Sequence, residues 1–445
     1  MSTLLITNAR CVNEGAITDQ DVLVRDGRIE GIGPDLQSRQ ADTHIDAAGR
    51  WLLPGLIDDQ VHFREPGLEH KADIASESAA AVAGGVTSYF EMPNTRPPTV
   101  SADALADKYA RAAGRSRANY GFFFGATNDN LDAMRALDPT TTPGVKVFMG
   151  SSTGNMLVDE PAILDRVFAQ ATLPVVTHCE DTPMIEANER AWLARHGDQL
   201  AAHHHPEIRS AEACWRSSSL AVELARQHGT QLHILHISTA RELELFEPGP
   251  MANKQITAEA CIHHLSFDDR DYATLGNRIK CNPAIKTAAD REALLAGVRE
   301  GRIDILATDH APHTLEEKNQ PYAQAPAGLP LVQHLLPALM ELVAQGALTI
   351  EQVVEKGCHN VARRFAVGER GFLREGYHAD LVLADPERST QVRDDNVLAK
   401  CGWSPFNGRT LSGAVDVTIV NGVVAWERDA LTPAIAGERI HFARD

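Results

Sequence analysis

Short alternating runs of apolar and polar residues mark both ends of the chain. Near the start, LLITNA, DVLVRDGRIEGIG and THIDAAGRWLLPG are broken by Asp-Gly and Gly turns, a pattern typical of short antiparallel strands. The same pattern returns in ADLVLADPE and in AVDVTIVNGVVAWE, where Asn421-Gly422 is a hairpin signal. We therefore predict one small β-sandwich domain that residues 1–55 and 367–445 build together.

Residues 56–366 alternate apolar strand-like runs with Ala-rich helical stretches. VTSYFEMPN, GVKVFMGSS, PVVTHCED, QLHILHIS and IDILATDHAPH are separated by segments such as SADALADKYARAAG and AADREALLAGVREG. Such alternation over about 250 residues or more is what a TIM-like (β/α)₈ barrel requires. The predicted fold class is therefore α/β, a barrel with a small β-sandwich. A doubly wound sheet is the alternative, but no strand here runs into a GxGxxG loop.

Composition and charge exclude several classes of protein. The 445 residues carry 60 acidic against 42 basic side chains, a net charge of −18, and without a basic patch this balance argues against a nucleic-acid partner. The chain contains no apolar run of about 18 residues, so no membrane span is predicted. The first residues do not have the pattern of a signal peptide. The seven scattered cysteines form no CxxC pair, which favours reduced thiols in a cytoplasmic protein.

Polar residues fall at or near the ends of six predicted barrel strands. Because the carboxyl ends of the strands form the active face of such a barrel, we expect these side chains to share one mouth. Three imidazoles and a carboxylate suit Zn²⁺ or a similar ion. A lone histidine at a strand end is more often structural, but convergence of six strands favours a metal site. The six residues are His62, Asn94, Lys146, His178, His236 and Asp309.

Other histidines receive plainer interpretations. His233 and His236 are three apart, so on a regular strand they face opposite sides, and we expect only His236 to point into the barrel. His203, His204 and His205 lie in a polar segment before Pro206, which indicates a solvated loop.

Lys146 stands in an apolar strand, GVKVF, where a buried cation is costly unless it is paired. One interpretation is a salt bridge or a side chain that reaches solvent. The other is that its amine has added CO₂ to become a carbamate, an anionic ligand whose two oxygens can bridge two metals. Burial lowers the pKa of a lysine and supplies the neutral amine that carboxylation needs.

Seven runs together carry a family resemblance. The chain resembles the dihydroorotases of the amidohydrolase superfamily over essentially its whole length, and HFREPG, MPNT and TDHAPH are specific in combination. The resemblance implies reversible ring closure of N-carbamoyl-L-aspartate to L-dihydroorotate, a step of pyrimidine synthesis. The runs are PGLIDDQVHFREPGLEHK, GGVTSYFEMPNTRPPT, GVKVFMGSSTGNM, VVTHCE, LHILHIST, KCNPAIK and ILATDHAPHT.

The resemblance also implies roles for single residues. Asp309 would move the proton in catalysis, and the family suggests a homo-oligomer. Arg64 and Asn94 would hold the substrate carboxylate, joined by Asn282 and His313; the plainer interpretation of Arg64 is an ion pair with Glu65 or Glu69. The ligands of one or two Zn²⁺ ions per chain would be His62, carboxylated Lys146, His178, His236 and Asp309.

The first strand departs from the family pattern. Where the family usually has His-x-His, this chain has Gln60-Val61-His62. A glutamine carbonyl is a poorer zinc ligand than imidazole, so the sequence leaves open whether one or two metals bind.

Two other functions compete with this interpretation. One is a related hydantoinase or allantoinase acting on another cyclic ureide, against which Arg64 argues because those substrates lack a carboxylate in that place. The other is a non-catalytic partner of aspartate transcarbamoylase, which Gln60 alone favours. The other candidate metal ligands and substrate-binding residues argue against a scaffold, because a non-catalytic protein has no chemical need for them.

Overall fold

The computed structural model describes residues 2–150, 156–158 and 160–444; the SSTGN part of the GVKVFMGSSTGNM run lies outside the described residues. The strands, in chain order, are β1 (Thr3–Asn13), β2 (Ala16–Arg25), β3 (Arg28–Gly33), β4 (Thr43–Asp46), β5 (Trp51–Pro54), β6 (Leu56–Val61), β7 (Val86–Glu91), β8 (Asn119–Phe122), β9 (Phe124–Gly125), β10 (Val145–Phe148), β11 (Val175–His178), β12 (Leu232–Ile234), β13 (Ile256–Cys261), β14 (Ile305–Ala307), β15 (Leu381–Gln391), β16 (Thr410–Val420), β17 (Val423–Glu427) and β18 (Ala430–Leu431).

The α-helices lie mainly between these strands. In chain order they are α1 (Ile74–Ala83), α2 (Ala102–Ala112), α3 (Leu131–Arg135), α4 (Pro161–Gln170), α5 (Thr182–His196), α6 (His205–Ile208), α7 (Ala211–His228), α8 (Ile262–Ser266), α9 (Tyr272–Leu275), α10 (Ala288–Glu300), α11 (Leu315–Lys318), α12 (Leu335–Ala344), α13 (Ile350–Val354) and α14 (Asn360–Arg364). Helix α7 shows how the sequence sets such bounds. The Ser210 hydroxyl accepts from the Ala213 N–H at 3.3 Å, and Gly229 ends the helix with φ 73°.

A closed barrel of parallel strands forms the middle of the chain. Within the described residues it has eight strands: β6, β7, one strand composed of β8 and β9, and then β10 to β14, each paired with its neighbour. The ring closes between β14 and β6, where the His62 N–H donates to the His310 carbonyl at 2.7 Å. The predicted barrel is therefore confirmed.

A second sheet joins the two ends of the chain. Its strand order is β18-β17-β16-β15-β5-β1-β2-β3, with β4 on β1, and β5 pairs with β15 so that Leu52 lies opposite Leu383. The Asn421-Gly422 turn has φ values of 49° and 76°, as the hairpin signal predicts. The strand-rich domain is confirmed, while its division from the barrel at residues 55 and 367 stays a prediction.

An apolar cluster fills part of the barrel interior below the cavity. On β11, Val176 lies two residues before His178 and so on the same face, one layer further from the mouth. The C-terminal segment completes this layer, since the Ile440 N–H donates to the Tyr120 carbonyl at 2.9 Å. We call the following set the floor cluster: Ile57, Phe90, Phe123, Val176, Ile305, Phe365 and Phe442.

Hydropathy gives no sign of a membrane span. Across the parts of the chain that the structure describes, we find no helix with both the length and the apolar character to traverse a bilayer.

Candidate active site

A cavity of about 330 Å³ opens at the carboxyl ends of the barrel strands. All nine residues that the sequence singles out contribute to its wall, and the loop 326–328 covers one side. The nine are His62, Arg64, Asn94, Lys146, His178, His236, Asn282, Asp309 and His313. The structure therefore brings the predicted residues together, whereas their individual roles stay predictions.

Two histidine side chains face each other in this cavity. His178 Nδ1 lies 3.0 Å from His236 Nε2, and His178 Nε2 lies 2.8 Å from the Glu180 carboxylate. Burial alone would raise the pKa of Glu180, but Arg209 and then His178 outweigh it and lower that pKa to about 2. An ionised Glu180 holds the His178 proton on Nε2, so the lone pair of Nδ1 points towards His236, as metal ligation requires.

The imidazoles of His236 and His62 are held neutral. Burial lowers the pKa of His236 well below its usual value, with a further contribution from His178 and Lys146. Burial also lowers the pKa of His62. Neutral imidazoles carry the lone pair that a metal ion needs.

His62 and Gln60 both contact Asp309. His62 Nδ1 lies 2.8 Å from Asn94 Oδ1, and since that oxygen only accepts, Nε2 is left facing Asp309 Oδ1 at 3.2 Å. The Gln60 amide donates to the same oxygen at 3.1 Å. The Cys261 thiol donates to Glu259 Oε1 at 3.1 Å and lies 3.7 Å from Gln60 Oε1. Gln60 thus presents an N–H to the Asp309 carboxylate.

Lys146 lies in the middle of the cavity wall with only 1% of its surface exposed. Its ammonium nitrogen is 4.7 Å from the centre of the Phe148 ring, so both residues lie on the inner face of β10 as expected. Burial lowers the pKa of Lys146 to about 8, although Asp309 and Glu259 oppose the shift. At pH 7 roughly a tenth of this amine is therefore neutral, far more than in an exposed lysine.

Arg64 is a buried cation at the edge of the cavity. Its Nε donates to the Pro312 carbonyl at 3.1 Å, and its Nη2 is 3.1 Å from His313 Nε2. Among the described residues Arg64 has no ion pair, because Glu65 instead pairs with Arg115 at 2.6 Å. The plainer interpretation of Arg64 as a partner of Glu65 or Glu69 is therefore wrong, and its charge calls for an anionic ligand.

His313 is oriented by groups that the sequence did not point to. The Lys71 ammonium donates to its Nδ1 at 3.0 Å, and its Nε2 donates to the Ala327 carbonyl at 3.0 Å. Burial, with Arg64 next in importance, lowers the pKa of His313 to about 3. His313 is therefore a neutral hydrogen-bonding group between the arginine and the loop 326–328.

His205 corrects the prediction of a solvated histidine loop. It is only 2% exposed, and its Nε2 lies 2.8 Å from the Cys281 carbonyl and 3.1 Å from Asn282 Oδ1. The Tyr322 hydroxyl lies 2.8 Å from Nδ1. His205 thus positions Asn282, a contact that neighbours in sequence could not reveal because the two residues are 77 positions apart.

His233 corrects the expectation that only His236 points into the barrel. His233 Nε2 lies 3.3 Å from Asp59 Oδ2 on β6, and β6 is not a neighbour of β12, so this contact crosses the barrel interior. Regular strand geometry ends at Ile234, and His236 has φ 40°. The change in backbone direction lets both side chains face inward.

Three of the cavity residues have left-handed backbone. Arg64, His236 and Asp309 have φ values of 68°, 40° and 50°, a region that costs energy for residues other than glycine. Such strain is common where a backbone must aim a functional side chain. Each of these residues lies two or three positions after the end of a barrel strand.

Comparison with known proteins places the chain in a family. Residues 51–425 match the model of the Amidohydrolase family. A dihydroorotase of Halobacterium salinarum is 34% identical over 429 residues, covering 95% of this chain and 98% of that protein. A dihydroorotase of Carboxydothermus hydrogenoformans is 33% identical over 427 residues, covering 95% of this chain and 97% of that protein.

Solved structures show the same architecture. L-hydantoinase (dihydropyrimidinase) from Arthrobacter aurescens superposes with a TM-score of 0.93 at 27% identity, covering 99% of this chain and 100% of that one. Dihydropyrimidinase from Brevibacillus agri superposes with a TM-score of 0.89 at 23% identity, covering all of both chains, which concerns the fold alone. With its full-length relatives and its cavity residues in place, the chain belongs to the amidohydrolase family and, within it, to the dihydroorotases.

Proposed function

We propose that the protein catalyses the reversible cyclisation of N-carbamoyl-L-aspartate to L-dihydroorotate in pyrimidine biosynthesis. The observation that carries this substrate is Arg64, a buried guanidinium in the cavity without a carboxylate partner in the described residues. The ring product and its open-chain form both bear a carboxylate, which a guanidinium binds through two parallel hydrogen bonds. The dihydroorotase relatives support the same substrate.

The donor set of the cavity fits one or two Zn²⁺ ions. The imidazoles of His62, His178 and His236 and the carboxylate of Asp309 would hold the metal, together with a carboxylated Lys146. When bound, such an ion activates water for attack and polarises the scissile carbonyl. Gln60 supports the lower stoichiometry, because its amide N–H faces Asp309 where the family usually supplies an imidazole.

Asp309 would carry the proton between the two halves of the reaction. In hydrolysis its carboxylate accepts a proton from the attacking water and returns it to the departing ring nitrogen. In cyclisation Asp309 begins protonated and the steps reverse. The Gln60 N–H, 3.1 Å from Asp309 Oδ1, holds the carboxylate in place.

Four residues would hold the substrate carboxylate and ring. Arg64 supplies the charge, and Asn94, Asn282 and His313 add directional hydrogen bonds. His62 fixes the Asn94 carbonyl oxygen, and His205 fixes the Asn282 carbonyl oxygen. Because its carbonyl is engaged by His62, the Asn94 amide offers its N–H groups, which suits a carboxylate.

The test compares two substrates on one variant. We expect Arg64→Ala to lower kcat/KM for L-dihydroorotate by roughly 10- to 100-fold, the value of losing hydrogen bonds to a charged group, with little change for unsubstituted hydantoin. Arg39→Ala, in the exposed segment between β3 and β4 and outside the cavity wall, is the control and should match the wild type. Unchanged turnover of L-dihydroorotate by Arg64→Ala would show that the substrate assignment is wrong.

A second candidate is a hydrolase of another cyclic ureide. The close superposition on the L-hydantoinase of Arthrobacter aurescens favours it. Zinc-loaded wild-type protein that opens hydantoin but not L-dihydroorotate would establish this alternative. Folded protein that binds no metal and turns over neither substrate would instead support the non-catalytic partner of aspartate transcarbamoylase.

The cellular setting is also part of the proposal. All seven cysteines are free thiols, and six of them are buried, which supports a cytoplasmic location. A homo-oligomer and an association with aspartate transcarbamoylase stay predictions that sedimentation of the purified protein, with and without that enzyme, would test.

A further inference from the structure

A second group of metal-ligating side chains lies inside the barrel, outside the cavity wall. It consists of Asp59 on β6, His233 on β12 and Glu259 on β13, which we call the lower cluster. One donor atom of each lies within 4.8 Å of the others, and all three side chains are completely buried. The cluster is next to the active cavity, since Glu259 Oε1 accepts from the His236 backbone N–H at 3.1 Å.

The hydrogen bonds around His233 fix which nitrogen is available. The Thr257 hydroxyl donates to the Leu232 carbonyl at 3.3 Å, so its oxygen accepts from His233 Nδ1, 2.8 Å away. Nε2 is then the nitrogen that faces the two carboxylates. A hydrogen bond on one ring nitrogen that directs the other towards a metal is the usual arrangement around ligating histidines.

The facing atoms have no hydrogen-bond partner among the described residues. This holds for His233 Nε2, for both carboxylate oxygens of Asp59 and for Glu259 Oε2. Buried polar atoms are nearly always satisfied, and a buried carboxylate without a compensating charge is costly. The cluster therefore lacks a positively charged occupant at its centre.

The distances suit a metal ion better than a proton. Nε2 is 3.3 Å from Asp59 Oδ2 and 3.6 Å from Glu259 Oε2. Two ligands about 2.1 Å from a tetrahedral ion lie about 3.4 Å apart, whereas charge-assisted hydrogen bonds measure about 2.7–2.9 Å. Two carboxylates and a neutral imidazole also balance the charge of a divalent cation.

We propose that the lower cluster binds a divalent cation of the zinc class, separate from the metal at the mouth of the barrel. Asp59, His233 and Glu259 each supply one ligand. A proton is the competing occupant: burial lowers the pKa of His233, but Asp59 and Glu259 outweigh it and raise that pKa. The ion ties β6, β12 and β13 together behind His236.

Anomalous diffraction from crystals of the whole, zinc-loaded protein tests the proposal. Data on either side of the zinc edge should show a peak between Asp59, His233 and Glu259, in addition to the density at the mouth. Absence of that peak from fully loaded wild-type crystals would overturn the proposal, whatever any variant does.

A pair of variants provides the second arm. Asp59→Ala should lose about one zinc ion per chain and the lower peak, and keep the density at the mouth. Glu242→Gln is the matched control, because Glu242 is another buried carboxylate but is satisfied by Ser218 at 2.7 Å and Thr239 at 2.9 Å; its zinc content should equal that of the wild type. An unchanged zinc content in folded Asp59→Ala would contradict the proposal. The readout is metal, so an absence of dihydroorotate turnover would leave this result intact.

Discussion

Lys146 has the most unusual surroundings of any single residue in the cavity. It is a lysine on the inner face of a barrel strand, 1% exposed and surrounded by imidazoles. Burial brings its pKa down to about 8, so below that pH the cation predominates and above it the neutral amine does. Because only the neutral amine adds CO₂, carboxylation should follow the same titration.

We expect carboxylation of metal-free protein, at constant dissolved CO₂, to rise between about pH 6 and about pH 9. Nuclear magnetic resonance with isotopically labelled bicarbonate would detect the carbamate carbon. Lys146→Met should remove the signal, and Lys108→Met should not, because Lys108 is a buried lysine paired with Glu91 at 3.1 Å. A signal of equal strength across this pH range would contradict the expectation.

The direction of some side chains could be predicted from the sequence, and that of others could not. The inner-face positions of Lys146 and His178 followed from strand alternation, which regular backbone guarantees. The inward direction of His233 did not, because it depends on the irregular backbone after Ile234. The role of His205 depends on a contact with distant Asn282, for which a single sequence carries no signal.

Among the elements, the loop 326–328 forms one side of the cavity wall. A buried lysine side chain holds this loop in place. The Lys318 ammonium, at the end of α11, donates to the carbonyls of Lys280, Pro326 and Gly328, each at 3.0 Å. Burial lowers the pKa of Lys318 to about 7. One side chain therefore fixes both ends of the loop against the segment that carries Asn282.

Lys318→Met should loosen this loop without touching the substrate. We expect KM for L-dihydroorotate to rise by about 5-fold or more and the free energy of unfolding to fall by about 2–4 kcal/mol, since hydrogen bonds from a charged group are lost. Steady-state kinetics and urea unfolding measure the two effects.

The control separates positioning from general stability. Lys356 is a buried lysine that donates to the Ile303 carbonyl at 2.8 Å, away from the cavity. Lys356→Met should lower stability and leave KM unchanged. If both variants raised KM equally, the bracing role of Lys318 would be wrong.

The strand ends of the barrel were the most predictable elements, since short apolar runs that end in polar residues mark β6, β7, β10, β11, β12 and β14. The strand composed of β8 and β9 has no titratable side chain at its end, and β13, although His263 and His264 follow it, contributes no side chain to the cavity wall. The sequence showed Gln60 in place of the usual histidine, but not its N–H contact with Asp309, which lies 249 positions away and which no local pattern encodes.

Across the whole molecule, the floor cluster joins the last part of the chain to the barrel. Phe442 is fully buried, and its ring centre lies 5.6 Å from that of Phe90. We expect Phe442→Ala to lower the free energy of unfolding by about 3–5 kcal/mol, the usual effect of emptying such a space. Ile435→Ala, at a side chain 51% exposed, should stay within about 0.5 kcal/mol of the wild type. Equal stability of the two variants, measured by urea unfolding, would show that the cluster contributes nothing.

The floor cluster also sets a condition on biosynthesis. A ribosome delivers the chain from its first residue, so the eight barrel strands leave the exit tunnel well before Ile440 and Phe442. Until those two residues emerge, the apolar residues of the floor cluster are exposed to water. Strand β5 also cannot pair with β15 until β15 has been synthesised. Nascent chains in this interval expose apolar surface of the kind that chaperones bind.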